Sequence, residues 1–409
     1  MRVGWGAGLL AIMPPSTSLE TRIAIVGGGP AGLLLSHLLH RSGIDNVVLE
    51  LRDRDYTVQR VRAGVLEHDA VELLVEEGLG DRLRAEGLRH DGIYLQFAGQ
   101  RHHIDFADLI GRHVWIYGQQ EVVKDLIAAH DANGTPARYD VSDVDIVGID
   151  GDAPTVTFSQ NGEQYELRCD FVVGTDGFHG VSRLAIPEPD RTTYEREYDF
   201  AWLGILAHAA PSSDELIYAL HENGFALLSM RSPTVSRLYL QVPPDEDVAD
   251  WSDERIWGEL DIRLGLPGWT LERGEIFDKS VTPMRSFVSA PMRHGRLFLA
   301  GDSGHIVPPT GAKGLNSAIA DVALLRKGLV EHYAHGDDAV LDGYSDTQLS
   351  RTWQTQYFST WMTRMLHTFT GPNAAFDHKV QLGQLAQLVA SRHAKSHLAE
   401  FYTGLRITR

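Results

Sequence analysis

The stretch RIAIVGGGPAGLLLSHLLHRSGIDNVVLE, residues 22–50, constrains the fold more than any other part of the chain. A short β-branched run ends in glycines, a second run opens with Pro30 and stops at Gly43, and the apolar NVVLE closes the unit. Proline in a helix's first turn and glycine just past its end punctuate a helix. Strand, helix and strand within about thirty residues predict a parallel sheet. Gly27, Gly29 and Gly32 carry the G-x-G-x-x-G spacing. The first glycine permits the turn, the second lets backbone approach a pyrophosphate, and the third packs helix on strand. Free N–H groups at the helix start favour the phosphate charge. Glu50, eighteen residues after Gly32, is the acid expected on a ribose hydroxyl. The loop predicts a dinucleotide without distinguishing a nicotinamide from a flavin.

Two later stretches favour a flavin. GTDGFHGVSR (174–183) leaves a strand through Asp-Gly and then presents a histidine and an arginine. LAGDSGHIVPPTGAKGLN (299–316) leaves another through Gly-Asp, followed by a rigid Pro-Pro turn and a small-residue helix start. An extended FAD needs an acid for its ribitol, and Asp302 is placed for that role. A helix opening near Gly314 would aim N–H groups at the flavin's pyrimidine edge.

The rest of the chain sets bounds. Its 409 residues suffice for two or three domains sharing a substantial core. A formal net charge of −18 argues against nucleic-acid and anionic-membrane surfaces. The single cysteine, Cys169, allows no intrachain disulfide and suits a reducing cytoplasm. Residues 1–20 hold an apolar run too short to span a membrane, and read as a disordered leader with Met13 as an alternative start. A hairpin turning at Asn161-Gly162 precedes the strand CDFVVG, and residues 214–242 alternate as a three-stranded meander. The chain is therefore read as α/β: a nucleotide domain split by an inserted sheet, with helices to the end. The expected bounds are 21–194 for the first part, 195–290 for the inserted β-sheet substrate domain, and 291–409 for the second part with its C-terminal helices.

From about residue 22 onward, GIDNVVLE, RVRAGVLE, DGFHGVSR, FALLSMRS and GRLFLAGDSGHIVPPTGAKGLN resemble the single-component FAD-dependent aromatic hydroxylases. The resemblance implies a glutathione-reductase-type, Rossmann-like FAD domain in which the opening loop holds FAD. It implies an aromatic monooxygenase that NADPH or NADH reduces, that forms a flavin C4a-hydroperoxide with O₂, and that converts 4-hydroxybenzoate to 3,4-dihydroxybenzoate. A related carboxylated phenol, or a flavin dehydrogenase or reductase without oxygen insertion, is the alternative; a non-catalytic flavin module is the third class. By resemblance, Arg60, Arg62, Gln119, Asp302, Gly314, Leu315 and Asn316 contact FAD, and His179 and Arg285 the nicotinamide pyrophosphate.

Strand periodicity supplies the pocket. Ser229 and Arg231 are two apart and share a face, as do Arg237 and Tyr239 on the next strand, with Tyr218 on the strand before. Arg231 offers a planar fork for a carboxylate, and the resemblance places Ser229 and Tyr239 beside it as a benzoate clamp. It also gives Tyr218 and the Pro309 carbonyl to the substrate phenol, Arg237 to the flavin's vicinity, and His90 to the end of a proton relay. The relay's second tyrosine aligns with Leu388, which implies weaker phenolate formation and looser ring discrimination. In LRDRDYTVQR (51–60), Leu51 stands where an arginine favouring NADPH occurs; Arg52 and Arg54 could replace it, Asp53 and Asp55 repel a 2′-phosphate, and NADH is expected to be tolerated.

Other features take plainer readings. His102 and His103 are adjacent on a strand and point to opposite faces, and no H-E-x-x-H or cysteine cluster exists, so no metal is expected. Trp353, Tyr357, Trp361 and Met365 recur every four residues as core or dimer packing, and a homodimer is expected. Cys169 reads as an inert buried thiol.

Overall fold

Ile23–Val26 lies inside a six-stranded sheet of a computed structural model that describes residues 17–59 and 64–408. The spatial order is Arg293–His294, Leu297–Leu299, Phe171–Gly174, Ile23–Val26, Asn46–Leu49, Ala137–Arg138. All neighbours run parallel except the first pair. Covered on both faces, the inner strands are continuous apolar runs, as a buried parallel sheet requires. Helices Pro30–Arg41, Gln119–Asn133 and Gly314–His335 pack one face through Leu34, Leu38, Leu126 and Val322.

A four-stranded sheet covers the other face, with Val156, Phe158 and Leu167 against Ala24, Val26 and Val172. Its hairpin, Thr155–Gln160 with Glu163–Arg168, turns at Asn161 and Gly162, both at positive φ as a two-residue turn demands. Thr17–Glu20, inside the span expected to be a leader, is instead an edge strand of this sheet, paired parallel to Glu163–Arg168. The proposed start at Met13 lies outside the described residues.

The meander opens into an eight-stranded sheet. Ile217–Ala219, Ala226–Ser232 and Val235–Val242 are its antiparallel heart. Two long strands, Thr192–His208 and Glu275–Ala290, flank one side, with His305–Ile306 at that edge. Gly92–Phe97 and Gln100–Asp105 flank the other side, far earlier in sequence. Val235–Val242 alternates strictly, which sorts its side chains to two layers. Leu238, Leu240 and Val242 pack on Ile256 and Leu260 of the helix Asp253–Leu264. Tyr218, Leu227 and Met230 face the opposite way, under the helices Tyr344–Leu366, Ala374–Ala390 and Arg392–Tyr402. No described helix is long and apolar enough to cross a membrane.

Candidate active site

At the carboxyl ends of the parallel strands the glycine loop turns as its spacing predicts. Gly27 sits at φ +110°, where a Cβ would meet the backbone of Thr175 at 2.5 Å. A Cβ on Gly32 would strike the Gly27 carbonyl, so helix and strand are in backbone contact. Beside Gly29 the space is open, and this residue caps its helix with no side-chain acceptor. The first-turn N–H groups and the positive dipole end can therefore receive an anion. Glu50 steadies the loop, its Oε2 accepting from Gly28 N at 2.5 Å and its Oε1 from Arg52 N at 2.8 Å. An ionised carboxylate has about four acceptor sites, which leaves room for a ribose hydroxyl.

Asp302 stands exposed on the turn Gly301–Ser303, at the next strand end. Behind it lies a pair the sequence reading missed. Buried Asp321 accepts from Gly301 N at 2.8 Å and meets His305 Nε2 at 2.7 Å. Burial opposes the imidazolium, but the Asp321 charge and hydrogen bond outweigh it and hold His305 above the usual range. Gly314 and Leu315 open the helix Gly314–His335, again with no side-chain cap and with open space at Gly314. Asn316 spends its side chain on protein: Nδ2 donates to the Val65 and Ala312 carbonyls, and Oδ1 accepts from Glu67 N. Its backbone N–H and a second lone pair on Oδ1 remain for a cofactor. Gln119 begins its helix, and the next residue, Gln120, has a buried Oε1 with no partner among the described residues. Arg60 and Arg62 lie outside the described residues. An open, uncapped glycine slot, a glutamate beside it and a second uncapped helix start fit an FAD.

The candidate substrate residues gather on one face of the eight-stranded sheet. Ser229 pairs directly with Arg237, and Leu227 with both Tyr239 and Tyr218. Arg231 falls where the register slips between Met230 and Ser232. A bulge of this kind re-aims the extra residue's side chain. Burial first, and Arg237 second, bring the Arg231 pKa down to about 10, so the guanidinium stays charged at neutral pH. Arg237 stacks over the Tyr239 ring at 5.1 Å, and its Nη1 is buried with no hydrogen-bond partner among the described residues. Two cations and no carboxylate from this strand pair suit an anionic ligand.

At the other end Tyr218, 1 % exposed, places its hydroxyl 2.7 Å from that of Tyr402. Tyr402 corrects the alignment that gave this place to Leu388. Leu388 is buried on the helix Ala374–Ala390, whereas Tyr402 closes the next helix and supplies the second hydroxyl. The expected weakening of phenolate formation loses its basis. Burial raises both phenols above their ordinary range. The backbone of Gly311 lies near enough to the Tyr218 hydroxyl to favour its ionised form slightly, which brings the loop after Pro309 to the same point. The Pro309 carbonyl accepts from Ala312 N at 2.9 Å, one of its two lone pairs. His90 is 1 % exposed on the strand just before Gly92–Phe97, whose Leu95 pairs with Tyr218. Burial lowers its pKa to about 4, so it is a neutral imidazole at physiological pH. Lys313, another residue the sequence reading missed, is buried against Glu67 at 2.6 Å and donates to the Phe401 and Tyr402 carbonyls, pinning the end of the last helix.

Outside the pocket, Arg285 lies 4.8 Å over the Phe178 ring, and that ring meets His179, so the two expected nicotinamide contacts share one neighbour. Arg285 also faces Glu195 at 3.8 Å and Glu197 at 3.6 Å. Near residue 51, Arg54 is paired with Asp131, Arg52 lies over Tyr56, and Asp53 caps Tyr56 N at 2.7 Å. His102 stacks on Phe97 while His103 meets Glu215 at 2.6 Å, so the adjacent histidines do take different neighbours. Among the described residues, one group could gather metal-ligating atoms, His68, Asp69 and Glu72, but Arg112 and Ile407 N already engage Asp69. Burial pushes the Cys169 thiol up to about 12, as an inert cysteine requires.

Comparison with known proteins extends this picture. Residues 20–359 match the model of a family described as FAD binding domain. The chain is 46% identical over 390 residues to p-hydroxybenzoate hydroxylase of Acinetobacter baylyi, covering 95% of this chain and 96% of that protein. It is 27% identical to a 3-(3-hydroxy-phenyl)propionate/3-hydroxycinnamic acid hydroxylase of Mycobacterium avium, over 82% of this chain and 59% of that one. Among solved structures, p-nitrophenol 4-monooxygenase PnpA from Pseudomonas putida superposes with a TM-score of 0.76 at 21% identity, covering 93% of this chain and 99% of the other.

Proposed function

The chain belongs to the family of FAD-binding aromatic monooxygenases, and from that premise we propose that it hydroxylates 4-hydroxybenzoate at the carbon beside the phenol. The balanced reaction consumes 4-hydroxybenzoate, NAD(P)H, a proton and O₂. It yields 3,4-dihydroxybenzoate, NAD(P)⁺ and water. The chemistry FAD supplies when bound is to take two electrons from the nicotinamide and deliver one atom of O₂ to the ring.

The chain's own residues bind and activate the substrate. Arg231 grips the carboxylate through its planar fork, with Ser229 and Tyr239 hydroxyls beside it. The phenol then reaches Tyr218, whose hydroxyl can pass a proton to Tyr402 over 2.7 Å and onward towards neutral His90. Removing that proton raises the electron density of the ring carbon that must attack an electrophilic oxygen. Arg237 would add positive charge to the side of the pocket where a reduced, anionic flavin would be held. The single observation that carries the reading is a charged arginine fork at one end of a sheet face and a buried tyrosine pair at the other.

Glu50, Asp302, the three loop glycines, Gln119 and the helix start at Gly314–Asn316 would hold the FAD, and His179 with Arg285 would meet the nicotinamide dinucleotide. Arg54 is already neutralised by Asp131 and two aspartates stand nearby, which favours NADH over NADPH. A homodimer is part of the same reading. Tyr194, Trp353, Tyr357 and Trp361 border a groove of about 670 Å³ whose rim mixes Glu195 with Arg196 and Arg364, a self-complementary charge pattern for a second copy. A single buried cysteine suits a cytoplasmic location.

Incubation with candidate hydroxybenzoates and NADH or NADPH tests the proposal. The expected product of 4-hydroxybenzoate has gained one oxygen atom by mass, with NADH and O₂ consumed one to one. Stimulated NADH oxidation without an oxygenated product from any hydroxybenzoate would overturn it.

A further inference from the structure

His367 follows the last turn of the helix Tyr344–Leu366 and is fully buried. Its ring is sandwiched between Phe225, centroids 4.3 Å apart, and Phe200, 4.5 Å away, both nearly parallel to it. Both nitrogens are engaged. Nε2 lies 2.7 Å from Trp202 Nε1, and Nδ1 lies 2.9 Å from the Thr363 carbonyl. An indole N–H only donates and a carbonyl only accepts, so the imidazole must be neutral with its proton on Nδ1. Burial lowers its pKa to about 3, in keeping with that state. A ring so enclosed has no route to exchange a proton with a ligand.

The partners of His367 lead to each wall of the candidate pocket. Trp202 packs 4.8 Å from Tyr239 at the carboxylate end. Phe225 packs 6.2 Å from Tyr218 at the phenol end. Thr363, whose carbonyl receives His367 Nδ1, donates its hydroxyl at 3.0 Å to Thr310, the neighbour of Pro309. The next residue, Thr368, is clasped by Gln241 of the Tyr239 strand, with Gln241 Nε2 donating to the Thr368 carbonyl at 2.7 Å. Two sheet strands and the proline loop thus converge on one helix end.

We propose that His367 is a positioning residue: by accepting from Trp202 and donating to Thr363 it fixes the distance between the Arg231–Tyr239 end and the Tyr218–Pro309 end of the aromatic-acid pocket. The proposal rests on the hydroxybenzoate reading above. An aromatic acid held at both ends is sensitive to that distance, because a misplacement of about 1 Å can cost on the order of a hundredfold in rate.

A set of three variants tests it, with 4-hydroxybenzoate as the probe. His367→Phe keeps a flat ring but leaves the buried Trp202 N–H unpaired. His367→Gln retains an acceptor. The double variant His367→Phe/Trp202→Phe removes both partners, which restores stability lost on removing one, because no buried donor is stranded, but leaves the bridge absent. For His367→Phe the expected result is a Kd for 4-hydroxybenzoate raised about tenfold by calorimetric titration, and a larger share of NADH oxidation ending in hydrogen peroxide instead of product. Flavin content is unchanged, His367→Gln recovers most of the loss, and the double variant regains melting temperature but not Kd or product yield, because the bridge is still missing. A His367→Phe protein that melts earlier yet keeps wild-type Kd and product yield would reduce His367 to a stabilising contact and overturn the proposal. Wild-type protein that makes no oxygenated product overturns the substrate reading itself, so the two failures are distinct.

Discussion

Tyr402 is the residue that the sequence hid. Ser229, Arg237 and Tyr239 were legible because strands alternate, the pairing with Leu227 brings Tyr218 to the same face, and Arg231 sits where that count slips. Tyr402 closes the second of two consecutive C-terminal helices, whose sequence offers no strand alternation to fix a side chain's direction, and the alignment gives the tyrosine's place to Leu388 on the helix before. Only tertiary packing reveals that its hydroxyl meets Tyr218. Tyr402→Phe removes that hydroxyl while leaving the ring. We expect hydroxylation of 4-hydroxybenzoate to slow by about tenfold or more, since a relay group in acid–base work is worth at least that. Binding of the substrate stays within about twofold, because Tyr402 does not reach the carboxylate end. Single-turnover hydroxylation compared with a binding titration checks both halves; equal losses in each would contradict the relay role.

At the scale of elements, local signals predicted local structure. The strand–helix–strand unit, the Asn161-Gly162 hairpin and the meander all depend on contacts close in sequence, and each is present. The pairing of Gly92–Phe97 with Ile217–Ala219 joins segments over a hundred residues apart, and no pattern in either announces it. Asp321–His305 and Lys313–Glu67 stayed hidden for a similar reason, being buried charges whose partners only the fold brings near. The glycine loop offers the sharpest test at this scale. Gly32→Ala puts a methyl group into the Gly27 carbonyl oxygen and 2.6 Å from the Thr175 hydroxyl, and the backbone contact cannot yield as a side chain could. The helix must then move off the strand, and with it the N–H groups that would face the pyrophosphate. Purified Gly32→Ala is expected to lack visible flavin absorbance and to regain little on incubation with FAD, whereas a normally yellow protein would refute the argument.

Among the described residues, an aromatic strip is left uncovered at the groove beside Tyr194. The stripe Trp353, Tyr357, Trp361 and Met365 changes character along its length. Trp353 is 45 % and Tyr357 54 % exposed, whereas Met365 is fully buried under the sheet. Half of the stripe is therefore core, as the periodicity suggested, and the other half lies beside exposed Tyr194 on the groove proposed for a second copy. Large exposed aromatics grouped this way mark an interface more often than a bare surface. Tyr357→Glu would bury a charge at the centre of an isologous contact, twice per dimer. Sedimentation is expected to show dimers for the wild type and monomers for this variant, with flavin content preserved; identical sedimentation would place any dimer contact elsewhere.

The extra residue in the strand Ala226–Ser232 has a consequence for how such a pocket can change. Grip on an acid depends here on the phase of a ribbon as much as on the identity of a side chain. Deleting Met230 alone would keep the arginine in the chain yet swing it towards the layer of Leu238 and Leu240, where no anion can follow. Length, in this short segment, is part of the recognition code, and point substitutions alone explore only half of it.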